Sequence, residues 1–143
     1  GGLLGLTIYH TKAHLFRAFL EGVAYAARYS LEAAREAGHP LRRVMLVDGG
    51  AKSRLWRQIL ADVTGLRMLY LPETVGAPLG DALLAAVAVE AVEGPEAIRG
   101  WLGGGLWVEP DAERAELYEG YYQLYRRSLE ACGAVFEGIN RLS

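Results

Sequence analysis

The 143-residue sequence has one cysteine, Cys132. A single thiol makes no intrachain disulfide, which points to a reducing compartment, the cytoplasm. Cys132 is expected on an apolar helix face. A dominant charge is missing too: 15 Lys and Arg stand against 17 Asp and Glu, for a formal net charge of −2. That leaves no basic field for nucleic acid or for an anionic membrane. Apolar runs are broken by Arg, Glu, Asp or Gly well before the roughly 18 residues of a membrane span. No basic start leads into an apolar h-region, so no signal peptide is expected. Low-complexity tracts and internal repeats are absent.

What is present is ordinary for a globular domain: 52% hydrophobic and 22% charged residues. The length suits one domain or less. "GGLLGLTIY" reads as an extended lead-in. Thr11 is a good N-cap for one long helix, "KAHLFRAFLEGVAYAARYSLEAAREAG". Leu15, Ala18, Phe19, Gly22, Val23, Ala26 and Ala27 recur at three- and four-residue spacing and predict its buried stripe. Gly38 and then Pro40 end it. "RRVMLVD" predicts a short strand buried on both faces. Ser53 caps a second helix with the stripe Leu55, Trp56, Ile59, Leu60 and Val63, closed by Gly65. "LRMLYLP" predicts a second strand. "APLGDALLAAVAVEAV" predicts a helix rich in small residues, able to pack close to a sheet, and "GPEAIRGWL" a short helix with Pro95 in its first turn. "GGGLWVEP" is expected as a loop, and a last helix from about Asp111 to Ile139 carries Tyr118, Tyr121, Tyr122, Leu124, Tyr125 and Leu129.

The fold class is therefore α/β: a βαβ core wrapped by helices, with a long C-terminal helix. Two parallel strands have open edges and leave apolar helix faces uncovered. The chain is expected to be part of a larger domain.

The stretch "LVDGGAKSRLWRQILAD" carries the candidate chemistry. It is not a P-loop, because Leu46 and Ala51 stand where that motif needs glycine. It is not the dinucleotide fingerprint, because the third glycine and the spacing are missing. What remains is a strand, Gly49–Gly50, a polar stretch and a helix start. Glycines there admit a flat ring or an anion close to the backbone. A bare tight turn is the other reading, and composition alone does not separate the two.

Three blocks in order and spacing, "GLTIYHTKAHLFRAFLEGVAYAARYSLE", "VDGGAKSRLWRQILADVTGL" and "ETVGAPLGDALLAAVAV", resemble the C-terminal part of the FGGY carbohydrate kinases, the xylulokinase-like members above all. The resemblance implies a ribonuclease-H-like, actin-like ATPase fold and an ATP-dependent sugar kinase. It implies that residues 1–143 are the nucleotide-side portion of an incomplete domain, with the first kinase domain absent. It implies ATP with Mg2+ in the complete kinase, and nucleotide contacts at Gly49, Gly50, Ala51 and Arg54. Gln58 and Asp62 match a Gln-x-x-x-Asp pattern and are expected to tie their helix to neighbouring backbone. Gly76, Gly80 and Ala82 match the block that presses the third helix against the sheet. The family's catalytic aspartate, which takes the proton of the sugar hydroxyl, lies upstream, so no catalytic residue is assigned in this chain. The expected partners are an adenine nucleotide and the upstream kinase portion, or a second copy through self-association. The alternative is a non-catalytic oligomerisation or interaction module derived from a shortened kinase domain.

His10 and His14 sit four apart but lack a third ligand and are expected to cap and pack. Arg17 and Glu21 form either an intrahelical ion pair or a brace to missing strands.

Overall fold

The computed structural model describes residues 2–41, 43–73 and 76–142. Gly1 and Arg42, which belong to the expected lead-in and first strand, lie outside them. Helix α1 spans Lys12–Glu36. Strand β1 (Val44–Leu46) leads into a four-residue helix α2 (Asp48–Ala51) and then α3 (Arg54–Thr64). After β2 (Met68–Tyr70) come α4 (Ala77–Ala88), a 3-10 turn (Pro95–Ala97) continuing into α5 (Ile98–Trp101), β3 (Leu106–Val108), and α6 (Ala112–Leu142).

The predicted caps are present. The Thr11 amide donates to Nδ1 of His14 at 3.1 Å, and the Trp56 amide donates to Oγ of Ser53 at 3.3 Å. Gly65 ends α3 in the left-handed conformation that a residue without Cβ adopts freely. Asp111 starts α6, its Oδ1 accepting from the Arg114 amide at 3.1 Å.

The sheet has three strands in the order β1-β2-β3, β1 parallel to β2 and β3 antiparallel to it. The third strand corrects the loop expected over 103–110. Trp107 sits opposite Leu69, and the Arg67 guanidinium stacks on the Trp107 ring at 3.7 Å while pairing with Glu109 at 2.7 Å. The glycine run allows the approach: a Cβ on Gly105 would stand 2.5 Å from Cδ1 of Leu69. β1 is less covered than expected, with Met45 47% exposed, because β2 is its only neighbour among the described residues.

The core is made by helices. Ala24 and Tyr25 of α1, Ile59, Leu60 and Val63 of α3, Met68 of β2, and Tyr118 and Tyr122 of α6 form one cluster. The predicted α3 stripe holds, except that Leu55 is largely exposed. The α1 stripe holds only in part: Ala27 packs on the core, but Phe19, Val23 and Ala26 face outward, and the core side runs through Leu20, Ala24 and Tyr25. Apolar and small residues stand on more than one side of α1, so periodicity alone does not choose which side is buried. The choice is made by polar partners. Arg28 donates to the Val63 carbonyl at 3.1 Å and to Glu32 at 2.9 Å, lies 4.0 Å over the Tyr122 ring, and pairs with Glu119 of α6. The tyrosine stripe of α6 is only half core, Tyr121 and Leu124 being exposed.

Candidate functional site at the glycine turn

β1 ends at Leu46, and the Leu71 amide extends the parallel ladder by donating to its carbonyl at 3.1 Å. The chain then turns sharply. Asp48 adopts φ +73°, and Gly49, Gly50 and Ala51 continue as the short helix α2. The amides of Lys52 and Ser53 close it on the carbonyls of Gly49 and Gly50, each at 3.2 Å. Gly49, Gly50, Lys52, Ser53 and Arg54 are exposed, whereas Ala51 is buried beneath them.

The two glycines are not demanded by the turn. Neither has a positive φ. A Cβ on Gly49 would meet nothing within 4 Å, and one on Gly50 would touch the Trp56 indole at an ordinary 3.5 Å. The strained residue is Asp48 instead. Its Oδ1 accepts from the Gly49 amide at 2.8 Å, and its other oxygen lies against Gly76, at the start of α4.

Three residues that the sequence reading left without a role build this site. Arg57 reaches back from α3 to donate to the carbonyls of Ala51 (2.6 Å) and Lys52 (3.2 Å), satisfying the end of α2. Its guanidinium rests 4.0 Å over the ring of Tyr70 on β2. Arg57 and Tyr70 therefore fix the turn to the sheet, and Asp48 fixes it toward α4. A basic residue five or six positions beyond a short helix end was the available signal for Arg57. Arg54, on the outer side, has no side-chain hydrogen bond or ion pair among the described residues.

Gln58 and Asp62 do tie α3 to backbone. Gln58 Nε2 donates to Asp62 at 2.7 Å and to the Glu109 carbonyl at 3.0 Å, and the buried Asp62 accepts from the Asp111 amide at 2.9 Å. Gly76 meets Asp48, but Gly80 and Ala82 face outward, and α4 turns Leu83 inward. His14 caps α1 through Thr11, and His10 takes the Thr7 amide at 3.0 Å. Among the described residues no three His, Cys, Asp or Glu come together as metal ligands do, and no helix is long and apolar enough to cross a membrane.

Residues 1–89 match the C-terminal domain of the FGGY family of carbohydrate kinases. The chain is 34% identical over 126 residues to a xylulose kinase of Staphylococcus epidermidis, covering 87% of this chain and 25% of that protein. It is 36% identical over 135 residues to a glycerol kinase of Mycolicibacterium gilvum, covering 91% and 26%. The crystal structure of xylulose kinase from Rhodospirillum rubrum superposes with a TM-score of 0.79 at 32% identity, over 93% of this chain and 27% of that one. The chain belongs to the FGGY carbohydrate kinase family, as a C-terminal domain of the xylulose kinase type. It spans about a quarter of the length of the curated relatives it matches.

Proposed function

We propose that this chain is the ATP-binding C-terminal portion of a sugar kinase with an actin-like ATPase fold. In the complete protein it would serve phosphoryl transfer from ATP to a small sugar such as xylulose. The observation that carries the reading is the glycine turn. Two adjacent glycines stand exposed at the end of a parallel strand, where neither conformation nor packing calls for glycine. In a kinase family, a bare backbone at that place suits an adenine nucleotide lying flat against it. Gly49 and Gly50 are read as the contact surface, Ala51 as its buried support, and Arg54 as the side chain at its rim.

Among the described residues no three His, Cys, Asp or Glu gather as metal ligands do, and magnesium is read as arriving on the nucleotide's phosphates. When bound, the nucleotide supplies the transferred phosphoryl group; this chain's residues bind and orient it. The matched relatives include both a xylulose and a glycerol kinase, so acceptor choice is assigned to the portion outside this chain. The cytoplasm is its proposed location.

Calorimetric titration of the chain with MgATP tests the binding reading, and a coupled assay with xylulose, ribulose and glycerol tests the division of labour. The expected results are nucleotide binding and no turnover by the chain alone. Turnover that survives repurification would overturn that division.

The second reading, an interaction module without catalysis, is favoured by one observation: Phe16, Phe19 and Val23 form an exposed apolar stripe on α1.

A further inference from the structure

The glycine turn and the start of α4 are separate in sequence and are joined by one side chain. Asp48 holds φ +73°, a conformation that any residue with a Cβ adopts at a cost. Glycine would take it freely, yet the position carries a carboxylate. One oxygen of that carboxylate accepts from the Gly49 amide at 2.8 Å. The other face of the group lies on Gly76, itself at φ +61°. A Cβ on Gly76 would fall 2.5 Å from Asp48 Oδ2, 3.0 Å from Cγ and 3.3 Å from Cβ. Gly76 is thus bare where the Asp48 side chain needs room, while Asp48 is substituted where the backbone would prefer glycine. Strain held at such a place points to a role.

We propose that Asp48 is a positioning residue, which sets the separation between the Gly49–Gly50 turn and the first turn of α4 and thereby the affinity for nucleotide. The affinity part rests on the reading of the turn given above. Asp48 orients the Gly49 amide directly and α4 through the backbone of Gly76. It touches no reacting atom in this scheme.

Four variants of the 143-residue chain test it: Asp48→Asn, which keeps the acceptor and the shape; Asp48→Gly, which removes both side chain and strain; Gly76→Ala; and Gly76→Ala combined with Asp48→Gly. Asp48→Gly is expected to melt within a few degrees of the parent and to bind MgATP about fivefold or more weakly, while Asp48→Asn stays within about twofold. A merely structural residue would not separate affinity from melting in this way. Gly76→Ala is expected to lower the melting temperature by several degrees, and by clearly less in the Asp48→Gly background, where the carboxylate is gone. Parent-like affinity in Asp48→Gly overturns the positioning role. An equal cost of Gly76→Ala in both backgrounds overturns the coupling. A parent chain that binds no MgATP overturns the nucleotide reading and the affinity role with it. The melting cycle then still decides the Asp48–Gly76 coupling, which needs no ligand.

Discussion

The hydroxyl of Tyr118 donates to Oε1 of Glu21 at 2.7 Å and accepts from Nη2 of Arg17 at 2.8 Å. Arg17 and Glu21 are also an i,i+4 pair at 2.7 Å, so the helical pair and the brace are one arrangement, and the brace runs to the last helix rather than to a missing strand. Tyr118→Phe should cost about 1.5–3 kcal/mol, the net worth of hydrogen bonding to charged groups. Denaturant unfolding of the two proteins measures it.

The same interface sets an alkaline limit. Burial, then the bond to Glu21, raises the Tyr118 hydroxyl. Burial, then the charge of Glu21, raises Tyr25, and burial, then Glu32, pushes Tyr122 up to about 12. Unfolded tyrosines lose their protons near roughly pH 10. Above that pH the unfolded chain holds fewer protons than the folded one, so stability falls as pH rises. Thermal melts should decline steadily between roughly pH 10 and 12. A melting temperature that stays level across that window would contradict the buried tyrosine cluster.

Arg28 joins α1, α3 and α6, and its side chain is only 17% exposed. Arg28→Ala should destabilise by about 2–3 kcal/mol, since it takes the donor from the Val63 carbonyl and the shared cation from two carboxylates. Arg28→Lys should recover only a small part, because a single ammonium does not reproduce the fork or the stacking on Tyr122. Acid should weaken the same joint. Burial raises Glu32, but its bonds from Tyr122 and Arg28 win and hold it low; Gln123 and Arg28 hold Glu119 low. That contribution is present above the ordinary glutamate range and is lost as pH falls through the lowered values. Comparing Arg28→Ala with the parent at neutral and acid pH reads it: the gap should narrow in acid.

Asp62 is 2% exposed and accepts from Gln58 and from the Asp111 amide. Asp62→Ala should cost about 2 kcal/mol and loosen the start of α6, because two part-buried donors lose this acceptor. Hydrogen exchange of the Asp111 amide should quicken with it. Unchanged exchange would mean that the bond does not hold the helix start.

Gly49→Ala should leave melting unchanged or raise it slightly, since the helical backbone accepts a Cβ with nothing in its way. On the proposed nucleotide reading, Gly50→Val should abolish binding, because its methyl groups would fill the space proposed for the ring or phosphate. Arg54→Ala should weaken binding by about 1 kcal/mol, a single surface contact. A folded Gly50→Val chain with parental MgATP affinity would remove the nucleotide from this turn.

Self-association is the expected behaviour of the isolated chain. Phe16, Phe19 and Val23 on α1, with Tyr121 and Leu124 on α6, are exposed, and exposed large apolar side chains seek cover. Sedimentation at tens of micromolar should show species heavier than one chain; a single monomeric species would count against the idea.

The sequence by itself determined the features that depend on local chemistry. Ser53 and Thr11 cap helices, Gly65 stops one, and alternating helix and strand patterns follow from which neighbours each residue meets within a turn. Family membership was legible in the same way, as three blocks in register. The tertiary structure decided what depends on distant partners. Trp107 belongs to a strand because Leu69 and Arg67 receive it, and no window around the Gly103–Gly105 run contains either. α1 buries Ala24 rather than Val23 because Arg28 finds Val63 and Glu119 from that side. Asp48 draws its place from Gly76, 28 residues on by the numbering. Periodicity fixes which residues share a face, but burial is a contest between faces, and only the packed chain brings the competing partners together.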